Sequence, residues 1–224
     1  MTQCGTITFM NDSKIEFIKA WLGAGSINIF GIQFSGKDTV GKRLADDLDT
    51  EFLSSGDIVR AARNNNPNED IRKATKLSDS GVLTPTDEFK QLIIPYLYDK
   101  RLDGKPLVLG SVGRWIGEET SVLNALKKGD HDTKAILVLN ISEDEIWRRW
   151  NTIRNERNGG RLDDMNKNRV KTRLDEFRDK TLPVINKYRE MDLVIDINGE
   201  QSRDQVYDET INKLYEFAKL SKSN

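Results

Sequence analysis

The sequence predicts an α/β protein built on a five-stranded parallel sheet with helices on both faces. Three observations carry this. Short apolar runs recur at 27–30, 51–53, 106–109, 135–139 and 193–197, with helix-length segments between them. The runs are largely apolar throughout instead of alternating, the pattern of strands covered on both sides. The first run also passes through a glycine-rich turn directly into a helical pattern.

The elements follow in order. Ile15, Phe17, Ile18, Trp21 and Leu22 recur at near-helical spacing, predicting an amphipathic helix over 11–22 with Asn11 to Ser13 as capping candidates. Gly23 and Gly25 end it, and the strand Ile27–Phe30 follows. Further helices are expected at 38–48, 56–64, 69–80, 87–101, 117–128, 142–155, 166–190 and 203–219. Trp147 and Trp150, with Ile146 and Ile153, read as packing residues, and His131, after Gly129-Asp130, reads as a surface residue of a loop. The polar stretch 155–168, rich in Arg, Asn, Gly and Asp, lies between two helices and reads as a mobile surface loop. There is no repeat and no low-complexity tract.

Composition narrows the function classes. Lys plus Arg number 35 against 36 Asp plus Glu, a net charge of −1, so no global basic field draws the chain to nucleic acid. Anion binding must come from a local cluster. The one cysteine, Cys4, excludes an internal disulfide and a Cys-based zinc site. No basic start followed by an apolar run suggests a signal peptide, and no apolar stretch approaches membrane-spanning length. A soluble, cytoplasmic, monomeric protein is expected.

Gly31-Ile-Gln-Phe-Ser-Gly36-Lys37-Asp38-Thr39 meets the spacing G-x-x-x-x-G-K between a strand and a helix. Its glycines let successive backbone N–H groups turn toward phosphate oxygens, the helix start adds partial positive charge, and Lys37 adds a full one. Ligands of such sheets bind at the carboxyl ends of the strands. Two further strand ends therefore matter: Leu53-Ser-Ser-Gly-Asp-Ile-Val-Arg60 and Leu109-Gly-Ser-Val-Gly-Arg114-Trp-Ile-Gly-Glu118. Each joins small residues to an arginine suited to bidentate phosphate contact. Arg148, Arg149, Arg154, Arg157, Arg161 and Arg173 form a fourth cluster. Arginines on long helices are often only solvated surface charge, and Arg148 and Arg154 stay open to that reading.

In this order the motifs resemble the adenylate kinase family of nucleoside monophosphate kinases. The family loop G-x-P-G-S-G-K-G-T corresponds to Gly31–Thr39, and S-T-G-D-x-x-R-A to Ser54–Ala61. Its G-x-L-V-P-D resembles Gly81-Val82-Leu83-Thr84-Pro85, and D-G-F-P-R resembles Gly110-Ser-Val-Gly-Arg114. G-R-x-D-D, R-L-x-x-Y and T-x-P-x-I are similar to Gly160–Asp164, Arg173–Phe177 and Thr181–Ile185. The resemblance spans about 26–220 and leaves 1–25 as an N-terminal extension. It implies a three-layer P-loop kinase fold, a monophosphate-binding region over 55–85 and a short lid over 155–164.

It also implies phosphoryl transfer from ATP to a nucleoside monophosphate, most simply AMP, with Mg2+. Phe34, Ser35, Gly36, Lys37, Asp38 and Thr39 would cradle the donor phosphates, and Gln201 falls where the family backbone meets the donor base. One of Arg149, Arg154 and Arg157 would face ATP. Ser55, Gly56, Arg60, Val82, Leu83, Arg114 and Glu118 would hold the monophosphate, and Arg161 and Arg173 would bridge donor and acceptor. With Lys37 and Arg114, those two arginines are the catalytic candidates. Asp57 would act on the metal through water.

Three departures accompany the resemblance. Asp38 replaces a glycine of the loop. Gly110 replaces the acid of D-G-F-P-R. Glu118 falls on the family's base-reading glutamine, and an ionised carboxylate, which only accepts, suits guanine's N–H donors better than adenine. A GMP kinase, a P-loop kinase for another small acceptor and a nucleotide-binding module with little turnover are the alternatives.

Overall fold

The computed structural model describes residues 3–65, 68–155 and 166–222. Five strands form one wholly parallel sheet: β1 (Ser26–Gly31), β2 (Phe52–Ser54), β3 (Leu107–Gly110), β4 (Thr133–Asn140) and β5 (Val194–Asn198), in the order β2-β3-β1-β4-β5. All five expected strands are present, each within a residue or two of its expected bounds. In β1, Ile27 and Ile29 enter one core while Phe30 enters another, the period-two alternation of a strand buried on both faces.

Helices α1 (Gln3–Leu22), α2 (Lys37–Asp47) and α10 (Arg203–Lys222) cover the first face. Ile18, Leu22, Leu44, Ile211 and Leu214 pack there against Ile27, Ile29, Val108 and Leu137. On the other face, α9 (Leu182–Glu190) sets Val184, Ile185 and Tyr188 against Phe30, Ile136 and Val138. Beside it, α5 (Thr86–Ile93) and α6 (Glu118–Lys128) pack on Leu107 and Leu109. The remaining helices are α3 (Ser55–Asn65), α4 (Glu69–Lys76), α7 (Glu143–Asn155) and α8 (Lys167–Glu176).

Four expectations need revision. The first helix starts at Gln3, not near Asn11, because a preceding turn already supplies the carbonyls that capping would replace. It is also no loose appendage. Ile18 and Leu22 are fully buried, Phe17 meets Tyr215 edge-on at 5.1 Å, and Trp21 meets Phe217 at 6.1 Å. Each buried aliphatic side chain contributes about 1.5–3 kcal/mol.

The helix expected over 87–101 ends at Ile93. Pro95 carries no N–H, and the chain continues in 3-10 turns at Ile94–Tyr98 and Lys100–Leu102. The helix expected over 166–190 is two helices joined by a π-turn, Phe177–Thr181. Pro183 cannot bond to the carbonyl four residues back, and a widened turn absorbs that loss.

His131 is the fourth correction. It is fully buried, its Nδ1–H donating to the Ala24 carbonyl at 2.7 Å while the His131 carbonyl accepts from Ser26 Oγ at 2.9 Å. It pins the start of β4 to the turn before β1. Trp150 is buried beside Ile146, Val170 and Leu174, with Trp147 edge-on to it at 5.7 Å, as packing residues should be.

Candidate active site

The carboxyl ends of β1, β2 and β3 open into one cleft of about 320 Å3. β1 leads through Gly31 into the phosphate loop. Gly36, with φ 87, turns the chain into α2, and no side chain caps that helix start. Gly36, Lys37 and Asp38 at this helix start line the cleft, and the partial positive charge of a helix start there favours an anion, although Thr39 N–H already bonds the Gly36 carbonyl at 3.0 Å. Phe34 also has positive φ, 68. It is the third residue of a turn closed by Ser35 N–H donating to the Ile32 carbonyl at 3.1 Å. Such a turn, with positive φ at its third place alone, calls for glycine there and favours proline before it. The family motif has that Pro-Gly pair; this chain has Gln33-Phe34. A side chain in this region costs about 1–2 kcal/mol.

Phe34, Gly36, Lys37, Asp38 and Thr39 line the cleft, and Ser35 is buried beneath it. Lys37 Nζ lies 3.6 Å from Asp38 Oδ1, so the added acid sits directly on the loop cation. α3, which follows β2 directly, supplies Ser55, Gly56 and Arg60 to the same cleft. Arg60 pairs with Asp57, whose side chain is half exposed and does not line the cleft. Val82 and Leu83 form another wall.

Arg114 enters from the loop after β3. Burial pushes its guanidinium down to about 10, and Arg173 adds to the depression, while Glu118 holds it up. Arg173 enters from α8. Two cations in a half-buried hollow repel one another, and a bound phosphate would relieve both that repulsion and the lost hydration. Lys37, Arg60, Arg114 and Arg173 thus share one cavity.

Sequence reasoning missed Glu176, Phe177 and Thr181, which also line it. Glu176 Oε2 accepts from Leu83 N–H at 3.1 Å, tying α8 to the wall, and its oxygens hold Lys180 Nζ at 2.7 and 2.8 Å. Lys180 in turn sits 4.0 Å from the centre of the Trp115 ring. The available signal was spacing: Glu176 lies three residues beyond Arg173, on the same helical face.

The remaining candidates stand apart from the cleft wall. Glu118 is buried. Its Oε2 accepts from the N–H groups of Arg114 at 2.8 Å and Trp115 at 3.1 Å, and its Oε1 from the Thr86 hydroxyl at 3.0 Å. Burial raises its pKa, against the pull of these hydrogen bonds. Arg149 spans Phe34 and Gly199, whose carbonyls accept from its two Nη groups at 2.9 and 2.6 Å. Arg154 is exposed, 5.4 Å from the Trp150 ring. Gln201 donates to the Asn198 carbonyl at 3.3 Å and bonds Glu209. Arg157, Arg161 and nearly all of the expected lid lie outside the described residues.

The acid missing at Gly110 has a local cause. A Cβ there would lie 2.6 Å from Phe52 Cζ, and one at Gly41 would lie 2.3 Å from Phe52 Cε2. The ring fills the space between them. Among the described residues, no group of three or more His, Cys, Asp or Glu could hold a metal. Side-chain oxygen donors in the loop are Gln33, Ser35, Asp38 and Thr39, a set that suits Mg2+ only if phosphates and water complete its shell. No described helix is long and apolar enough to cross a membrane.

The family model for adenylate kinase matches residues 29–193. An adenylate kinase of Bacteroides thetaiotaomicron is 30% identical over 193 residues, covering 84% of this chain and 99% of that protein. One from Bacteroides fragilis is 28% identical, covering 82% and 95%. One from Thermus thermophilus is 29% identical, covering 77% and 88%.

Proposed function

The chain belongs to the adenylate kinase family and is a phosphotransferase of the nucleoside monophosphate kinase class, and we propose that it transfers the terminal phosphoryl group of ATP to AMP, yielding two ADP. The observation that carries this reading is the meeting of Lys37, Arg60, Arg114 and Arg173 in one cleft with an uncapped helix start. Phosphoryl transfer asks the protein for positioning and charge neutralisation more than for covalent chemistry.

In this reading Lys37 and the loop amides hold the β- and γ-phosphates of ATP. Arg60 and Arg114 clamp the acceptor phosphate from the opposite wall and bring its oxygen in line with the γ-phosphorus. Arg173, between the two, offsets charge as it spreads over the transferred group, and Arg161 would join it from the lid. Closure of the lid would keep water from competing with the acceptor. Mg2+ arriving with ATP would be held by phosphate oxygens near Asp38 and Thr39 and would supply charge neutralisation, while Asp57, paired with Arg60 and off the cleft wall, is not placed to support it.

AMP is preferred to GMP because Glu118 already accepts three hydrogen bonds from its own loop and from Thr86, out of roughly four that a carboxylate can accept. That leaves little capacity for guanine's paired donors. Coupled measurement of ADP formation from ATP with AMP, GMP, CMP, UMP and dTMP tests the assignment. A preference for AMP is expected. Faster turnover with GMP would move the assignment to guanine, and ATP binding without transfer to any monophosphate would leave a binding module.

A further inference from the structure

We propose that Arg149 is a positioning residue that braces the phosphate loop in a turn its own sequence disfavours. The turn Ile32–Ser35 holds Phe34 at φ 68, where the family loop has glycine, and Gln33 stands where it has proline. Both replacements remove local preorganisation. Proline would fix φ at the second place, and glycine would accept the third without steric cost. Left to itself, the Gln-Phe turn is penalised by about tenfold in the population of its ordered form.

Arg149 supplies what the turn lacks. Its Nη1 donates to the Phe34 carbonyl at 2.9 Å, the carbonyl of the strained residue itself. Its Nη2 donates to the Gly199 carbonyl at 2.6 Å, at the exit of β5. Its Nε donates to Glu145 Oε1 at 2.5 Å, one turn earlier on α7. All three edges of the planar guanidinium are therefore committed, and its side chain is only 21% exposed. The plane is fixed by Glu145, so the brace ties the loop to the end of β5. Lysine, a point charge with no fork, could not span two carbonyls and a carboxylate in this way. The inference rests on the loop being the donor-phosphate cradle, but it assigns Arg149 to the backbone of that loop and not to the nucleotide.

A double-mutant cycle tests it, read by calorimetric ATP binding and by separate KM and kcat for ATP. Arg149→Met keeps the aliphatic stem and removes every donor. In the otherwise wild-type chain it should weaken ATP binding about tenfold or more, chiefly in KM. In a Gln33→Pro/Phe34→Gly background, where the turn forms unaided, the same change should weaken binding less than about threefold. Arg149→Lys should behave like Arg149→Met in both backgrounds, and it serves as the readable variant if the methionine form does not fold. Equal losses in the two backgrounds would show that Arg149 acts on ATP directly, and no loss in either would show that it does nothing for the loop. Both outcomes overturn the brace. Absence of ATP binding by the wild-type chain is a separate result, which would remove the kinase reading itself.

Discussion

The ring of Phe52 occupies the space that a side chain at Gly110 would need, its Cζ 2.6 Å from where a Cβ would lie. The two residues sit on neighbouring strands, with Phe52 paired to Val108 and Ser54 to Gly110. The lost acid is thus a packing choice: an aromatic ring on the edge strand has taken the room of a carboxylate beside the cleft. Gly110→Asp alone should therefore destabilise the fold by about 1–3 kcal/mol through overpacking. Combining it with Phe52→Val should recover much of that loss. Urea unfolding of both variants checks this, and equal stability of Gly110→Asp and wild type would contradict the crowding.

Lys37 and Arg114 both line the cleft, from the loops after β1 and β3. Lys37→Ala and Arg114→Ala should each lower kcat by about 10²–10³, as loss of a charge-stabilising group does. Far-ultraviolet circular dichroism should remain that of the wild type. Near-normal turnover by either would remove its assigned role.

Glu118→Gln keeps an oxygen for the Arg114 and Trp115 amides and offers an NH2 toward the Thr86 hydroxyl. Because burial raises the Glu118 pKa, the folded protein holds that proton more tightly than the unfolded chain. Stability from this group therefore falls as pH rises from the ordinary carboxylate value through the raised one, and glutamine should abolish that slope. Thermal unfolding between pH 4 and pH 8 would show it. The AMP-to-GMP ratio of the variant, measured alongside, should stay on the side of AMP.

The Glu145 carboxylate is held down to about 2, from an ordinary 4.5, chiefly by its hydrogen bonds to Arg148 and then to Arg149, against the upward push of burial. A depressed carboxylate stabilises the fold above its unfolded value and loses that contribution as pH falls through its folded one. Stability should thus decline between about pH 4.5 and 2, and Glu145→Gln should flatten that part of the profile. A pH-independent difference between the variant and wild type would refute the pairing.

Leu22→Ala tests whether the first helix belongs to the core. The side chain is 1% exposed among Ile27, Leu44 and Ile211, so truncation should cost about 2–5 kcal/mol. An effect below about 0.5 kcal/mol would mean that the helix is dispensable for folding.

The strands and the phosphate loop were legible because each is a local pattern: apolar runs on one hand, glycine spacing between a strand and a helix on the other. Arg60 and Arg114, which both line the cleft, were legible from their places at strand ends. What local pattern could not show was tertiary capture. Nothing local showed that Glu118 accepts from the amides of its own loop. Nor did local pattern show that Arg149 donates to the carbonyls of Phe34 and Gly199, both remote in sequence. Phe34 was visible in principle, since a large residue stood at a glycine position, but its cost becomes apparent only with φ. His131 was misplaced for the same reason: its partner, Ala24, is remote in sequence.

The widened turn at Phe177–Thr181 sets a constraint on how this gene can vary. Each residue of a helix rotates the chain by about 100°. A π-turn already holds one residue more than an α-turn, so a further residue inserted there would swing Arg173 and Glu176 away from the cleft, or turn Val184 and Tyr188 out of the interior, whereas loss of one residue is what closing the widened turn would absorb. Substitutions can accumulate along this stretch, but its length cannot grow, so insertions between those two positions should be absent from functional descendants.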